Sequence, residues 1–156
     1  MRTTKKAPVG TVYLLKRAEL AVRSCADATL APFGLTPAQF LALFRLKESA
    51  GVSSAELARA TGIRPQSVVD LIGPLEREGL IKRREAPEHR RILRIALTAA
   101  GEKLLARALP AAAQLERELL SDLSTPEIVS LQGGLAKLLA NAEKHDAHPT
   151  RRPRKG

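Results

Sequence analysis

The chain has 156 residues, of which 44% are apolar and only 3% aromatic, with a formal net charge of +10 and a single cysteine. That length and apolar content suit one domain with a real core and exclude a disordered chain. One cysteine excludes an intrachain disulfide, and no stretch approaches the ~18 apolar residues that span a bilayer.

The charge is concentrated in three places. Residues 1–6 carry Arg2, Lys5 and Lys6; residues 144–156 carry five Lys/Arg against Asp146; and residues 82–94 carry six Lys/Arg against Glu85 and Glu88. Everything else is close to neutral, so the excess sits on two arms and one internal segment, as a polyanion footprint requires. The opening MRTTKKAPVGTVYLL holds no convincing secretory segment, because Lys16 and Arg17 end its apolar run. A reducing cytoplasm is the expected location.

In chain order, residues 1–10 read as a flexible basic arm. Apolar residues then recur three or four apart, at Val12, Leu15, Ala18, Val22 and Cys25, which predicts a helix to about Leu30. Cys25 falls on that stripe and reads as a buried helix residue. Thr36-Pro37-Ala38-Gln39 is a capping box with proline at the first helical position, opening a helix to about Ser49. A second box, Ser53-Ser54-Ala55-Glu56, opens a short helix to about Ala60. Thr61-Gly62-Ile63 is a turn whose glycine can take positive φ, and Pro65 starts a helix that runs to Glu78 with Gly79 as its stop.

Residues 80–84 and 92–97 have strand character, with a polar loop from Ala86 to Arg91 between them. From Thr98 a long helix follows, interrupted by Pro110, where a kink is expected rather than a break. Ser124-Thr125-Pro126-Glu127 opens the last helix, to about Lys144, and residues 145–156 read as a disordered basic tail. Ala and Leu dominate the apolar content, so the fold class is mostly α with a small β-hairpin.

Two short helices around a tight turn, followed by a basic hairpin, form the local pattern of a winged helix-turn-helix. Its second helix enters the DNA major groove and its hairpin lies alongside. The projecting set on that helix is Arg64, Gln66, Ser67 and Asp70. Gln pairs bidentately with adenine, Arg with guanine, Ser bonds either way, and Asp accepts from a cytosine amino group. Asp70 has the alternative of pairing with Arg64 or a turn residue. Ser53 and Ser54, at the start of the preceding helix, join the candidate DNA contacts. Arg83, Arg84, Arg90 and Arg91 supply phosphate contacts that carry affinity without sequence information. An arginine near the hairpin tip also reads minor-groove width.

Residues 35–143 resemble the MarR family of transcriptional regulators. The resemblance is carried by GLTPAQFLALFRL, SSAELARATGIRPQSVVDLIGPLEREGLIKR and APEHRRILRIALTAAG, the last with Leu-Thr-x-x-Gly opening the next helix. It implies a winged helix-turn-helix over 35–98 and a helical dimerisation base from 11–34 and 99–144. It also implies a homodimer that binds palindromic double-stranded operators, commonly as a repressor released by a small anionic or phenolic ligand. Release would come from changed spacing between the two recognition helices. The expected ligand pocket lies between base and DNA-binding lobe, with Tyr13, Arg17, Phe40, Phe44 and Arg107 as lining candidates.

Two departures from the family pattern stand out. The family usually has Asp where this chain has His89, two residues before the arginine matched by Arg91, and that Asp is thought to orient the arginine. A protonated His89 would repel Arg91 while attracting phosphate, so DNA binding would tighten below pH ~6.5. The cysteine that senses hydroperoxides in one branch of the family would fall near Val12, and Cys25 lies more than three turns later.

An enzyme is not expected. His89, His145 and His148 have no Cys or acidic partner at metal-ligand spacing, and there is no glycine-rich phosphate loop or nucleophile motif. Neither metal nor cofactor is implied, and no membrane is a partner. The competing readings are an architectural DNA binder with little sequence preference and no ligand, and a winged helix whose basic face holds an acidic protein.

Overall fold

The computed structural model describes residues 10–49, 51–86 and 89–147, with the side chains of 85, 86, 89–93, 146 and 147 outside the description. The elements are α1 (Thr11–Leu30), α2 (Pro37–Glu48), α3 (Ser54–Thr61), α4 (Val68–Arg77), β1 (Ile81–Ala86), β2 (His89–Leu97), α5 (Ala99–Leu119) and α6 (Thr125–Ala147), with 3-10 turns at Ala31–Phe33 and Pro65–Ser67. They fall into two compact units, residues 1–115 and 116–156. The basic arm over 1–9 and the tail from 148 onward lie outside the described residues.

The first unit holds the core. Leu43, Leu57, Val68, Ile72, Leu75, Ile95 and Leu105 are almost wholly removed from solvent, with Phe40, Phe44 and Ile63 packed at the edge. They come from α2, α3, α4, β2 and α5, so helix-turn-helix, hairpin and the start of α5 share one interior. Truncating any of these leucines to alanine costs about 2–5 kcal/mol.

Local signals explain the helix starts. Thr36 accepts from the Gln39 amide at 3.2 Å while Gln39 accepts from the Thr36 amide at 2.9 Å. Ser53 and Glu56 make the same reciprocal pair, and the Ser53 hydroxyl also donates to Glu56 Oε2 at 2.7 Å. Such a cap is worth about 1 kcal/mol. The Ser124 amide and hydroxyl both donate to Glu127 at 2.8 and 2.6 Å, setting the start of α6.

Several elements depart from the sequence expectation. β1 and β2 are longer than predicted and leave only two residues between them, so His89, Arg90 and Arg91 belong to β2 rather than to a loop. The antiparallel register runs from Ile81 opposite Leu97 to Glu85 opposite Leu93, then shifts so that Ala86 faces His89. Arg90, Arg91 and Ile92 therefore have no residue opposite them, an irregularity of the kind that bends and twists a strand. The helix after the turn begins as a 3-10 turn at Pro65–Ser67 and becomes α-helical only at Val68. α6 runs three residues past Lys144, so His145 lies in the last turn of a helix rather than starting a tail.

Cys25 is exposed, not buried. Most of the stripe it belongs to is exposed as well, with Val12 at 75%, Val22 at 45% and Leu15 half-buried. The reason is that α1 is apolar beyond one stripe. Tyr13, Leu14 and Leu20 are also exposed, and a single chain cannot cover every side of a helix. Pro110 sits inside an unbroken α5, and no helix among the described residues is long and apolar enough to cross a membrane.

Candidate nucleic-acid interface

The interface is organised around the turn between α3 and α4. Gly62 ends α3 with φ +67°, and its amide reaches back to the Ala58 and Arg59 carbonyls. The Ile63 amide bonds the Ala58 carbonyl at 3.2 Å, closing a Schellman-type stop. That stop fixes the exit direction of the chain, and Arg64 through Ser67 then turn into α4.

Along α4 the two sides differ sharply. Val68, Leu71, Ile72 and Leu75 are buried, whereas Arg64, Gln66, Ser67 and Asp70 are all exposed. The structure thus brings the predicted base-reading set to one outward lip, on a helix anchored by its opposite side. No side chain caps the start of the 3-10 turn or of α4. Asp70 forms no ion pair among the described residues, neither with Arg64 nor with the turn, so its carboxylate stays available as an acceptor.

The other predicted contacts divide by what they already hold. Ser54 is the exposed first residue of α3, but Ser53 spends its hydroxyl on Glu56. Arg83 is engaged with Glu76 of α4 at 2.9 Å, which ties the first wing strand to the recognition helix. Arg84 is exposed and forms no ion pair among the described residues. The side chains of His89, Arg90 and Arg91 lie outside the described residues, and with them the proposed His89 switch.

Sequence reasoning passed over Arg94. Its guanidinium donates to the Gly51 carbonyl and to Glu56, both at 3.3 Å. Val52 and Ile95 exchange backbone bonds of 3.1 and 2.8 Å beside it. The wing is thereby fastened at two points to the start of α3. The signal was present as an arginine breaking the apolar run of β2, but its partner is 38 residues away and no local pattern names it.

Hydrogen bonds from the Ser53 amide, then from the Ser53 hydroxyl, hold the Glu56 carboxyl below its ordinary value of 4.5, with Arg94 adding attraction. A carboxyl lowered by folding contributes stability that is complete above its unfolded value and lost as pH falls through the folded one. The cap of α3 and its tie to the wing are therefore expected to loosen only once the pH has fallen below the ordinary carboxyl value of 4.5. A carboxyl-carbon titration by NMR should place the Glu56 midpoint below 4.5; a midpoint at or above that value contradicts the cap geometry.

The ligand-pocket candidates do not converge in one cavity. Arg17 lies 6.0 Å over the ring of Tyr13 on exposed α1, Phe40 stacks on Phe44 at 6.5 Å, and Arg107 is exposed on α5. The larger of two described cavities, about 520 Å³, is lined instead by Glu19, Val22, Arg23 and Asp27 of α1, by Pro37 and Leu41 at the start of α2, and by the Thr61–Ile63 turn. None of the five candidates lines it or the smaller one.

Comparison with known proteins agrees with this geometry. A family model described as MarR family matches residues 33–92. An HTH-type transcriptional repressor of Mycobacterium tuberculosis is 36% identical over 132 residues, covering 85% of this chain and 94% of that protein. Among solved structures, the transcriptional repressor CouR bound to a 23-mer DNA duplex is 31% identical, with a TM-score of 0.73 over 92% of this chain and 99% of that one. BpsR of Bordetella bronchiseptica, whose DNA binding is regulated by 6-hydroxynicotinic acid, is 25% identical, with a TM-score of 0.78 over 88% of this chain and 96% of that one.

Proposed function

The chain belongs to the MarR family, and on that premise we propose that it is a homodimeric, sequence-specific DNA-binding repressor released by a small anionic or phenolic ligand. The observation that carries this reading is the two-sided α4. Its inward residues are fixed in the core, and its outward residues Arg64, Gln66, Ser67 and Asp70 are polar and exposed. A rigid helix that presents hydrogen-bonding side chains outward suits the reading of base edges in a major groove. Gln66 and Arg64 read purines, and Asp70 accepts from a cytosine amino group. Ser54, Arg84, Arg90 and Arg91 meet phosphates, which position the lobe without choosing sequence. Arg83, held by Glu76, and Arg94, held by Glu56, keep the wing at a fixed angle to α4.

Dimerisation is supported separately in each unit by apolar surface that a monomer has no use for. In α1, Val12, Tyr13 and Leu14 are all more than half exposed; beyond residue 116, Val129 and Leu139 are about 60% exposed. Isolated exposed apolar residues are unremarkable, but a helix carrying several marks an interaction face. Two lobes held about one helical turn of DNA apart would meet a palindrome's half-sites together. A ligand that shifts the lobes breaks both contacts. On this reading Arg17, beside Tyr13, or Arg107 neutralises the carboxylate or phenolate of the ligand.

Selection of bound duplexes from a random pool tests the reading. A palindromic winner is expected, bound far more tightly than unrelated duplexes at physiological salt, and released by a hydroxybenzoate. Gln66→Ala is expected to lose about 1–3 kcal/mol on the winner and to relax the preference for adenine at one position per half-site. Equal affinity for unrelated duplexes would replace this reading with an architectural DNA binder.

A further inference from the structure

The recognition helix leaves one apolar side chain in the open. Val69 is 62% exposed. Across residues 35–98, every other described Val, Leu, Ile and Phe is buried or half-buried. The lone exception lies one turn beyond Gln66, on the lip of α4 that carries the polar set. One turn further on is Gly73, where an added Cβ would meet nothing within 4 Å. Pro74 follows inside the helix and offers no N–H. From Val68 to Glu76 α4 has no lysine or arginine. The strip Gln66–Val69–Gly73 is therefore uncharged and low in relief, suited to a base edge and not to a phosphate.

A solvated isopropyl group gains from contact only with another apolar group. The floor of the major groove offers one, the 5-methyl of thymine. Charge elsewhere fits duplex DNA as the occupant of this strip. The wing segment 82–94 holds six Lys/Arg against two acids, which supplies backbone affinity beside a strip that carries none.

We propose that Val69 is a specificity-determining residue that packs against a thymine 5-methyl group in each operator half-site, with Gly73 leaving room for the groove wall to approach. This rests on the reading of the chain as a sequence-specific DNA-binding protein. It deepens that reading by assigning a base to a residue that makes no hydrogen bond with its side chain. The contact adds discrimination between thymine and every base or analogue without the methyl, and it is insensitive to salt.

The test uses the full-length protein and the duplex that wild type selects. Each symmetry-related pair of thymines is replaced in turn by deoxyuridine, which deletes the methyl and keeps every hydrogen-bonding group. Loss of one buried methyl per half-site weakens binding about fourfold, so one thymine pair is expected to cost about 15-fold when both half-sites are changed. In Val69→Ala, whose exposed position leaves folding intact, that pair is expected to become indifferent to the replacement. Val69→Thr, which keeps one methyl, should retain part of the effect. The proposal is overturned if no thymine methyl matters to wild type, or if the sensitive pair stays equally sensitive in Val69→Ala. Failure of wild type to enrich any duplex overturns the DNA-reading function itself, a distinct result.

Discussion

Leu14→Glu combined with Leu139→Glu is expected to give a folded monomer that binds its operator at least 100-fold more weakly than wild type. Both positions are already solvated in the single chain, Leu14 at 52% and Leu139 at 61%. A surface substitution away from special features moves stability by only about 0.5 kcal/mol, so each subunit should keep its helix content. The association face responds differently. Burying an unpaired carboxylate against apolar side chains is strongly unfavourable, and a two-fold axis presents every substitution twice. DNA binding then suffers without any change to α4. A dimer's second half-site contact is intramolecular, and that advantage is worth a factor of about 10²–10⁴. Light scattering after gel filtration reads the mass, and titration of the selected duplex reads the affinity. A double variant that remains dimeric would show that neither helix lies in the interface. A monomer with undiminished affinity would remove the dimer from the mechanism.

Gly101→Ala is the second large effect, and its sign is opposite to the usual rule. Alanine in a helix is ordinarily about 1 kcal/mol better than glycine. Here the new Cβ would collide with the Leu80 backbone carbonyl oxygen and press on a Leu97 methyl carbon 3.1 Å away. The Leu80 carbonyl cannot step aside cheaply, because it accepts from the Thr98 amide at 3.1 Å. Thr98 is itself pinned, its hydroxyl donating to the Gly79 carbonyl at 2.6 Å and accepting from the Gly101 amide at 3.1 Å. Residue 101 is therefore where α5 crosses the chain leaving α4. A loss of about 2–3 kcal/mol is expected, lowering the melting midpoint by roughly 5–10 °C for a chain of this size. Gly73→Ala is the control: it is also helical but opens on free space, so its melting midpoint should stay level or rise. A Gly101→Ala protein as stable as wild type would mean that α5 docks elsewhere.

Much of the site was legible locally. The two capping boxes, the glycine of the α3–α4 turn and the outward polar set on α4 depend on residues within a few positions of one another. Their physics is complete over that distance. The Leu-Thr-x-x-Gly signature was recognisable as a pattern, but its reason was not. The crowding that requires glycine comes from Leu80, 21 positions upstream. The wing was harder. Its strands were placed correctly in kind and too short in extent, because a register shift at Glu85 and Ala86 lets β2 absorb residues whose polarity suggested a loop. Arg83 and Arg94 illustrate the limit from the other side. Arg83 reads as a phosphate contact and Arg94 only as one more charge of the basic segment until Glu76 and Glu56 come within reach.

The sequence by itself determined the order and type of the elements, the capped starts of α2, α3 and α6, and which helix would face DNA with which polar side chains. These follow from capping, periodicity and charge, which act between near neighbours. Tertiary structure alone decided which side chains are left over. It exposed Cys25 and most of the α1 stripe, committed Arg83 and Arg94 to the frame of the wing, and left Val69 as the one bare apolar group on the reading helix. Exposure and pairing depend on what the rest of the chain brings near, and residues far apart in sequence meet only when the core has formed.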